Sequence, residues 1–219
     1  LSDFFAKKQF LNKEWKFPVM KEVATVLKGY EGISFFSPAN DTLVWKQDAY
    51  MLKVPQAETV DMTYCALDAK DIYGTQELYN ASPLRKINKQ ISDVMLRNGY
   101  VPDAGNTNEM KGYADFYQGY RKDAVVCSLT VPSGTGNCGN LNDEISMSIK
   151  CATGTEKALA EQKPFIEALD LDGAGNVAYP VKKVGNLVLV RSDYGHTETS
   201  YVLRLDKGKY VTVAETDAD

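Results

Sequence analysis

The chain has 219 residues, with 25 Lys and Arg against 29 Asp and Glu, so its formal charge is −4. That balance excludes a strongly basic nucleic-acid binder. Hydrophobic residues at 44% and charged residues at 25% are ordinary for a folded chain, and no apolar run approaches the ~20 residues that cross a bilayer as a helix.

Phe4, Phe5, Phe10 and Leu11 suggest an irregular helical lead-in. Behind Pro18, which suits the first helical position, Val19, Val23, Val26, Leu27 and Tyr30 recur at helical spacing and Gly29 supplies a stop. Short β-rich runs follow at 33–36, 43–46, 49–54 and 59–67, separated by turn-formers such as Ser37-Pro38-Ala39-Asn40-Asp41. The spacing predicts the clearest helix at 82–98, with Ser82 as N-cap, Pro83 after it, and Leu84, Ile87, Ile91, Val94 and Met95 as one stripe before Gly99. Residues 100–111 read as a polar loop. Tyr113, Phe116, Tyr117 and Tyr120 then fall at helical spacing over one or two turns.

Residues 124–131 and 145–151 alternate and form a predicted hairpin, with Val125, Cys127, Leu129 and Val131 on one face of the first strand. A third helix is expected at 156–169, interrupted or restarted at Pro164. The end is again β, at 177–184, 187–191, 200–205 and 210–214, the last two joined by Asp206-Lys207-Gly208-Lys209 as a hairpin turn. The fold class that follows is α+β: amphipathic helices packed on antiparallel β-meanders, helix then strands, three times over. Residues 104–109 are the best candidate boundary, dividing the chain into halves at 1–103 and 104–219, unless these form one compact domain.

The four cysteines, Cys65, Cys127, Cys138 and Cys151, contain no C-x-x-C spacing and the chain has a single His, which argues against a zinc or thioredoxin-type site. An even count fits an oxidising compartment; the competing reading is four small buried hydrophobes. Cys127 and Cys151 share the apolar face of the hairpin. If Leu129 pairs with Met147 they are only diagonal, and a two-residue shift sets them opposite. Cys138 is then left for Cys65. The chain starts at Leu1, which suggests that an export signal or an anchor has been removed upstream; a cytosolic piece of a longer chain is the alternative.

Gly134-Thr135-Gly136-Asn137-Cys138-Gly139 matches G-x-G-x-x-G after a strand, yet a strand pattern and no helix follows it, so it reads as a hairpin loop and no cofactor is expected. Asp170-Leu171-Asp172-Gly173-Ala174-Gly175-Asn176-Val177 resembles the start of a calcium loop, with Asp170, Asp172 and Asn176 as candidate ligands. Ala174 and Val181 stand where a ligand and the closing carboxylate belong, which favours a plain helix-to-strand turn. His196 lies in a polar stretch with no G-x-S-x-G elbow to serve. Tyr113, Phe116, Tyr117 and Tyr120 are either core aromatics or a contact patch for a partner protein or glycan.

The run Gly185-Asn186-Leu187-Val188-Leu189-Val190-Arg191, then Tyr201-Val202-Leu203-Arg204-Leu205, then Gly208-Lys209-Tyr210-Val211-Thr212-Val213-Ala214-Glu215, resembles the closing β-hairpins of uncharacterised exported, envelope-anchored bacterial proteins, including those of candidate-phylum bacteria. The resemblance covers about 30 residues and implies an extracytoplasmic domain behind an N-terminal anchor; it carries over no catalytic residues. The expectation is a non-enzymatic interaction domain, able to engage a protein or an envelope component. An exported hydrolase with a carboxylate pair and the head of a pilin-like subunit are the alternatives.

Overall fold

The computed structural model describes residues 14–28, 33–36, 41–66, 84–108, 116–131, 143–171, 176–194 and 197–217. The protein is a mixed α+β fold, mostly β, with mostly antiparallel strands. The described elements run α1 (Pro18–Lys28), β1 (Ile33–Phe36), β2 (Asp41–Gln47), β3 (Tyr50–Ala66), α2 (Leu84–Arg97), β4 (Val101–Asn108), β5 (Phe116–Lys122), β6 (Val125–Val131), β7 (Asp143–Thr153), α3 (Thr155–Ala168), β8 (Val177–Val184), β9 (Leu187–Tyr194), β10 (Thr197–Asp206) and β11 (Lys209–Asp217). None of these helices is long and apolar enough to cross a membrane.

The chain forms two compact units, each built from separated stretches: 1–41 with 56–152, and 42–55 with 153–219. The expected boundary at 103/104 falls inside the first of them. β3 is the reason, because its residues up to Pro55 belong to the second unit and those from Gln56 to the first. Two strands were expected here, at 49–54 and 59–67. Pro55 and Gln56, the latter at φ 58°, mark the change between them without ending the strand.

In the first unit β3 lies between β1 and β7, and the order continues through β6 and β5 to β4. α1 and α2 cover one face of this sheet. Val19, Met20, Val23, Ala24 and Leu27 from α1, and Ile87, Ile91, Val94 and Met95 from α2, join Val60, Met62, Leu129, Met147 and Ile149 in one buried cluster. Burying each of the larger side chains contributes about 1.5–3 kcal/mol. The period-3.6 stripes read from the sequence supply these residues, with Val26 partly buried beside them; Gly29, Tyr30, Ser82, Pro83 and the side chain of Leu84 lie outside the described residues. α2 stops where Gly99, at φ 81°, takes the left-handed position; its N–H donates to the Leu96 carbonyl and that of Tyr100 to the Met95 carbonyl. The entry to α1 is held from a distance: the carboxylate of Glu58, on β3, accepts the N–H of Lys16 at 2.9 Å and of Phe17 at 3.0 Å. It satisfies donors at the positive end of the helix.

Two expectations fail in this unit. Residues 101–108 of the expected polar loop are the strand β4, whose pairing with β5 jumps from Asp103↔Gly119 to Thr107↔Gln118, and 109–111 lie outside the described residues. Its turn-formers make a bulge instead: Asp103 Oδ1 accepts the Gly105 N–H at 3.0 Å, and Thr107 Oγ1 donates to the Asp103 carbonyl at 2.7 Å. The aromatic run expected to be helical is the strand β5, paired with β6 from Phe116↔Val131 to Lys122↔Val125. A spacing of three residues puts Tyr117 and Tyr120 on one side of a helix but on opposite sides of a strand; Tyr117 is 38% exposed and Tyr120 1%.

In the second unit the first part of β3 pairs with β2 and, by the single parallel bridge Met51↔Val177, with β8; β9, β10 and β11 follow as antiparallel neighbours. α3 packs on one face through Ala158, Phe165 and Ile166, and the Phe165 and Tyr210 rings lie 4.8 Å apart. It runs through Pro164 without interruption, because the bond Pro164 cannot donate leaves only the carbonyl of exposed Ala160 to water. The expected turn at Asp206-Lys207-Gly208-Lys209 is present, with Lys207 at φ 49° and Gly208 at φ 84°, the left-handed pair that a two-residue hairpin requires.

Candidate interaction surface

Register assigns the side chains of the second unit to two faces. Val188↔Leu203 and Ser192↔Ala178, all buried, lie toward α3 together with Val190 and Tyr210. The alternate residues form the outer face. There the cross-strand pairs Val184↔Leu187, Leu187↔Arg204 and Arg204↔Val211 line up as a single row over β8, β9, β10 and β11. Val184 is 62% exposed, Leu187 39% and Val211 38%. Next to that row come Leu189 and Val202, a half-buried pair. Val181 and Val213, also exposed, are the extra residues at register shifts in β8 and β11. Single exposed apolar side chains are ordinary; here three stand in one cross-strand row, with Arg204 between Leu187 and Val211.

The other end of this face is charged. Lys53 Nζ donates to Asp193 Oδ2 at 2.9 Å and to Tyr179 Oη at 3.0 Å, and lies 4.1 Å from the Tyr179 ring centre. Burial, the largest single influence, pulls the Lys53 pKa down, but the hydrogen bonds to Tyr179 and Asp193 and their charges together raise it above the ordinary lysine value. Arg191 Nε meets Glu198 Oε1 at 2.6 Å. Behind this cluster Gln162, buried on α3, accepts the Lys53 backbone N–H at 2.9 Å and donates to the Lys53 carbonyl at 2.7 Å. Its amide stands in for a strand partner where β3 and β8 share only one bridge.

The open face of the first unit contrasts with this one. Asp41 Oδ2 takes Lys150 Nζ at 2.7 Å and the Thr59 hydroxyl at 3.2 Å, and the Ser148 hydroxyl donates to Asp61 Oδ1 at 2.6 Å.

The residues singled out from the sequence are distributed as follows. Cys127 and Cys151 form a buried disulfide between β6 and β7, with Cα atoms 4.1 Å apart, so the strands adopt the shifted register that sets the two opposite. Cys138 and the side chain of Cys65 lie outside the described residues; β3 places Cys65 opposite Glu144. Asp170 is the left-handed residue closing α3, at φ 53°. Its N–H donates to the Glu167 carbonyl and that of Leu171 to the Ile166 carbonyl, a helix-end motif. Asp172 lies outside the described residues and Asn176 is half-buried before β8. No group of three or more metal-ligating side chains occurs among the described residues. Tyr120 cannot serve as a contact residue: it is in the core, and its hydroxyl donates to Ser92 Oγ at 2.7 Å. Burial above all raises its pKa. Tyr117 is exposed, while Tyr113 and the side chain of Phe116 lie outside the described residues, as do the G-x-G-x-x-G segment and His196.

The row Val184, Leu187 and Val211 was not anticipated. The alternation in 184–189 and 200–213 carried the signal, because both parities of each strand hold apolar residues and one helix covers only one parity. No protein-family model matches the chain, and neither the curated proteins nor the solved structures contain a match to it.

Proposed function

We propose that the chain is a non-enzymatic, extracytoplasmic binding domain of a bacterial envelope protein, and that it engages its partner through the outer face of β8, β9, β10 and β11. The observation that carries the reading is the exposed apolar row Val184, Leu187 and Val211 with Arg204 among them, an apolar strip with a basic anchor of the kind enriched at interfaces. The compartment rests on the buried Cys127–Cys151 disulfide, since such bonds persist in oxidising surroundings.

Site-specific photocrosslinking in intact cells tests it. A photoreactive residue at Leu187 is expected to give a discrete adduct with an envelope component, and the same residue at exposed Glu156 on α3 to give none. Equal labelling at both positions, or none at either, overturns the contact surface. Free thiols at Cys127 and Cys151 in protein taken from the cell overturn the compartment.

A further inference from the structure

The charges at the apolar end of the outer face are nearly all of one sign. Register puts Lys182 on that face opposite Leu189, Arg204 between Leu187 and Val211, and Lys209 opposite Asp206, while Lys207 stands in the turn at the same end. All four cations are exposed, and none is paired with a carboxylate among the described residues. Among those residues Asp206 is the one acid at this end. At the other end the charges neutralise one another, Lys53 with Asp193 and Arg191 with Glu198. Further acids lie across the sheet, on the side of α3: Glu156 in the first turn of that helix, and Glu215, whose partner Tyr201 pairs with buried Val190. A chain whose formal charge is −4 therefore surrounds its uncovered valines and leucine with positive charge.

This arrangement selects a class of partner. β8 and β11 are three strand spacings apart, so the cations are spread over about 14 Å and converge on no single point. They suit negative charge distributed over a plane, not one phosphate or one carboxylate. Three of the four are lysine, a residue depleted at protein interfaces but drawn to anionic lipid headgroups. The aliphatic side chains among them suit the boundary between headgroups and acyl chains, where apolar area adds to the electrostatic attraction. Acids on the α3 side stand a layer further from such a surface and are screened over ~8 Å at physiological salt.

We propose that the outer face of β8 to β11 docks on an anionic lipid bilayer, with Val184, Leu187 and Val211 entering the headgroup region and Lys182, Arg204 and Lys209 meeting its phosphates. This rests on the reading of that face as the contact surface and names its partner. Cosedimentation of the protein with vesicles tests it. Binding is expected to vesicles of phosphatidylglycerol and phosphatidylcholine in equal parts, and to be more than about tenfold weaker to phosphatidylcholine alone. It should fall as salt is raised from about 0.1 to 1 M, which shortens the screening length from ~10 to ~3 Å. Arg204→Gln and Lys182→Gln are each expected to weaken binding about fivefold. Lys157→Gln, on α3, makes the same change of charge on the opposite side and is expected to leave binding unchanged. The comparison of the two vesicle compositions uses the wild-type chain, so the proposal stays testable should a variant fold poorly. No binding to the anionic vesicles, equal binding to both compositions, or equal losses from Lys157→Gln and Arg204→Gln each overturns the lipid as partner. A discrete protein adduct at Leu187 in cells, without vesicle binding, overturns the lipid and leaves the contact surface standing; labelling in cells that ignores position overturns the surface itself.

Discussion

In the first unit the sheet face turned away from α1 and α2 is laced by polar side chains: Lys150 and Thr59 on Asp41, Ser148 on Asp61. In the second, the face turned away from α3 sets its ionic contacts at one end, among Lys53, Tyr179 and Asp193, and leaves Val184, Leu187 and Val211 in the open at the other. The covered faces differ as well. Among the described residues, two helices and a disulfide close the first unit, whereas a single helix and the amide of one glutamine hold the corresponding layer of the second. A sheet whose uncovered face satisfies itself is complete as it stands. One that leaves a row of valine and leucine uncovered still has apolar area to lose from water, and the proposed contact surface rests on that difference.

The largest effect expected from breaking this contrast comes from the staple. Replacing both Cys127 and Cys151 by Ala releases a crosslink between residues 24 apart and is expected to destabilise the first unit by about 2–4 kcal/mol, seen as a lower urea midpoint. Hydrogen exchange locates it: amides of β6 and β7 should lose protection while those of β9 and β10 keep theirs. Equal loss everywhere erases the distinction between the units. Next is Gln162→Ala, which strands a part-buried N–H and C=O of Lys53 and is expected to cost about 1 kcal/mol, with faster exchange at Lys53 as the local signature. Tm measured on the purified variant checks the total.

The open faces differ more gently. Ser148→Ala removes the hydroxyl that Asp61 holds at 2.6 Å and is expected to cost about 1 kcal/mol. Leu187→Gln touches an exposed position and is expected to stay within about 0.5 kcal/mol, while lowering the binding of a hydrophobic dye. If Leu187→Gln destabilises as much as Ser148→Ala, the row is packed against something and is not a free surface.

What was legible in the sequence follows from how local the cause is. The stripes Val19/Val23/Leu27 and Ile87/Ile91/Val94 declare their helices because one helix buries one face, and Asp206-Lys207-Gly208-Lys209 declares its hairpin because the left-handed positions demand such residues. Tyr117 and Tyr120 misled because three residues is both a helical repeat and a change of strand face, so only the partners β4 and β6 settle the matter. Asp103 and Gly105 misled because the chemistry that makes a loop also makes a bulge inside a strand. Glu58 capping Lys16 and Phe17, and Gln162 bonding the Lys53 backbone, were invisible because their partners lie 41 or more residues away. The candidate surface was legible only as surplus apolar parity in β8 to β11; that Val184, Leu187, Arg204 and Val211 fall in one row depends on three registers and two bulges that no local pattern fixes.

The smallest effect concerns the charged end of the outer face. The pKa of Lys53 is raised in the folded protein, so its ion pair contributes fully below the unfolded lysine value of about 10.4 and is lost as the pH rises through the folded value. The second unit should therefore lose stability above about pH 10, and Lys53→Met should remove that part of the alkaline slope while leaving the curve between pH 6 and 9, roughly the range in which lysine stays charged, unchanged in shape. Partial exposure of Lys53 and Asp193 screens the pair, so the change is expected to be slight and to shrink further in high salt. Tyr120, whose pKa burial raises, adds an alkaline loss of the same sign in the first unit. The comparison must therefore be made between wild type and Lys53→Met by urea titration at fixed salt. Identical alkaline slopes in the two proteins would mean that Asp193 and Tyr179 hold Lys53 in place without favouring its charge, and the outer face would then owe nothing to this cluster but its shape.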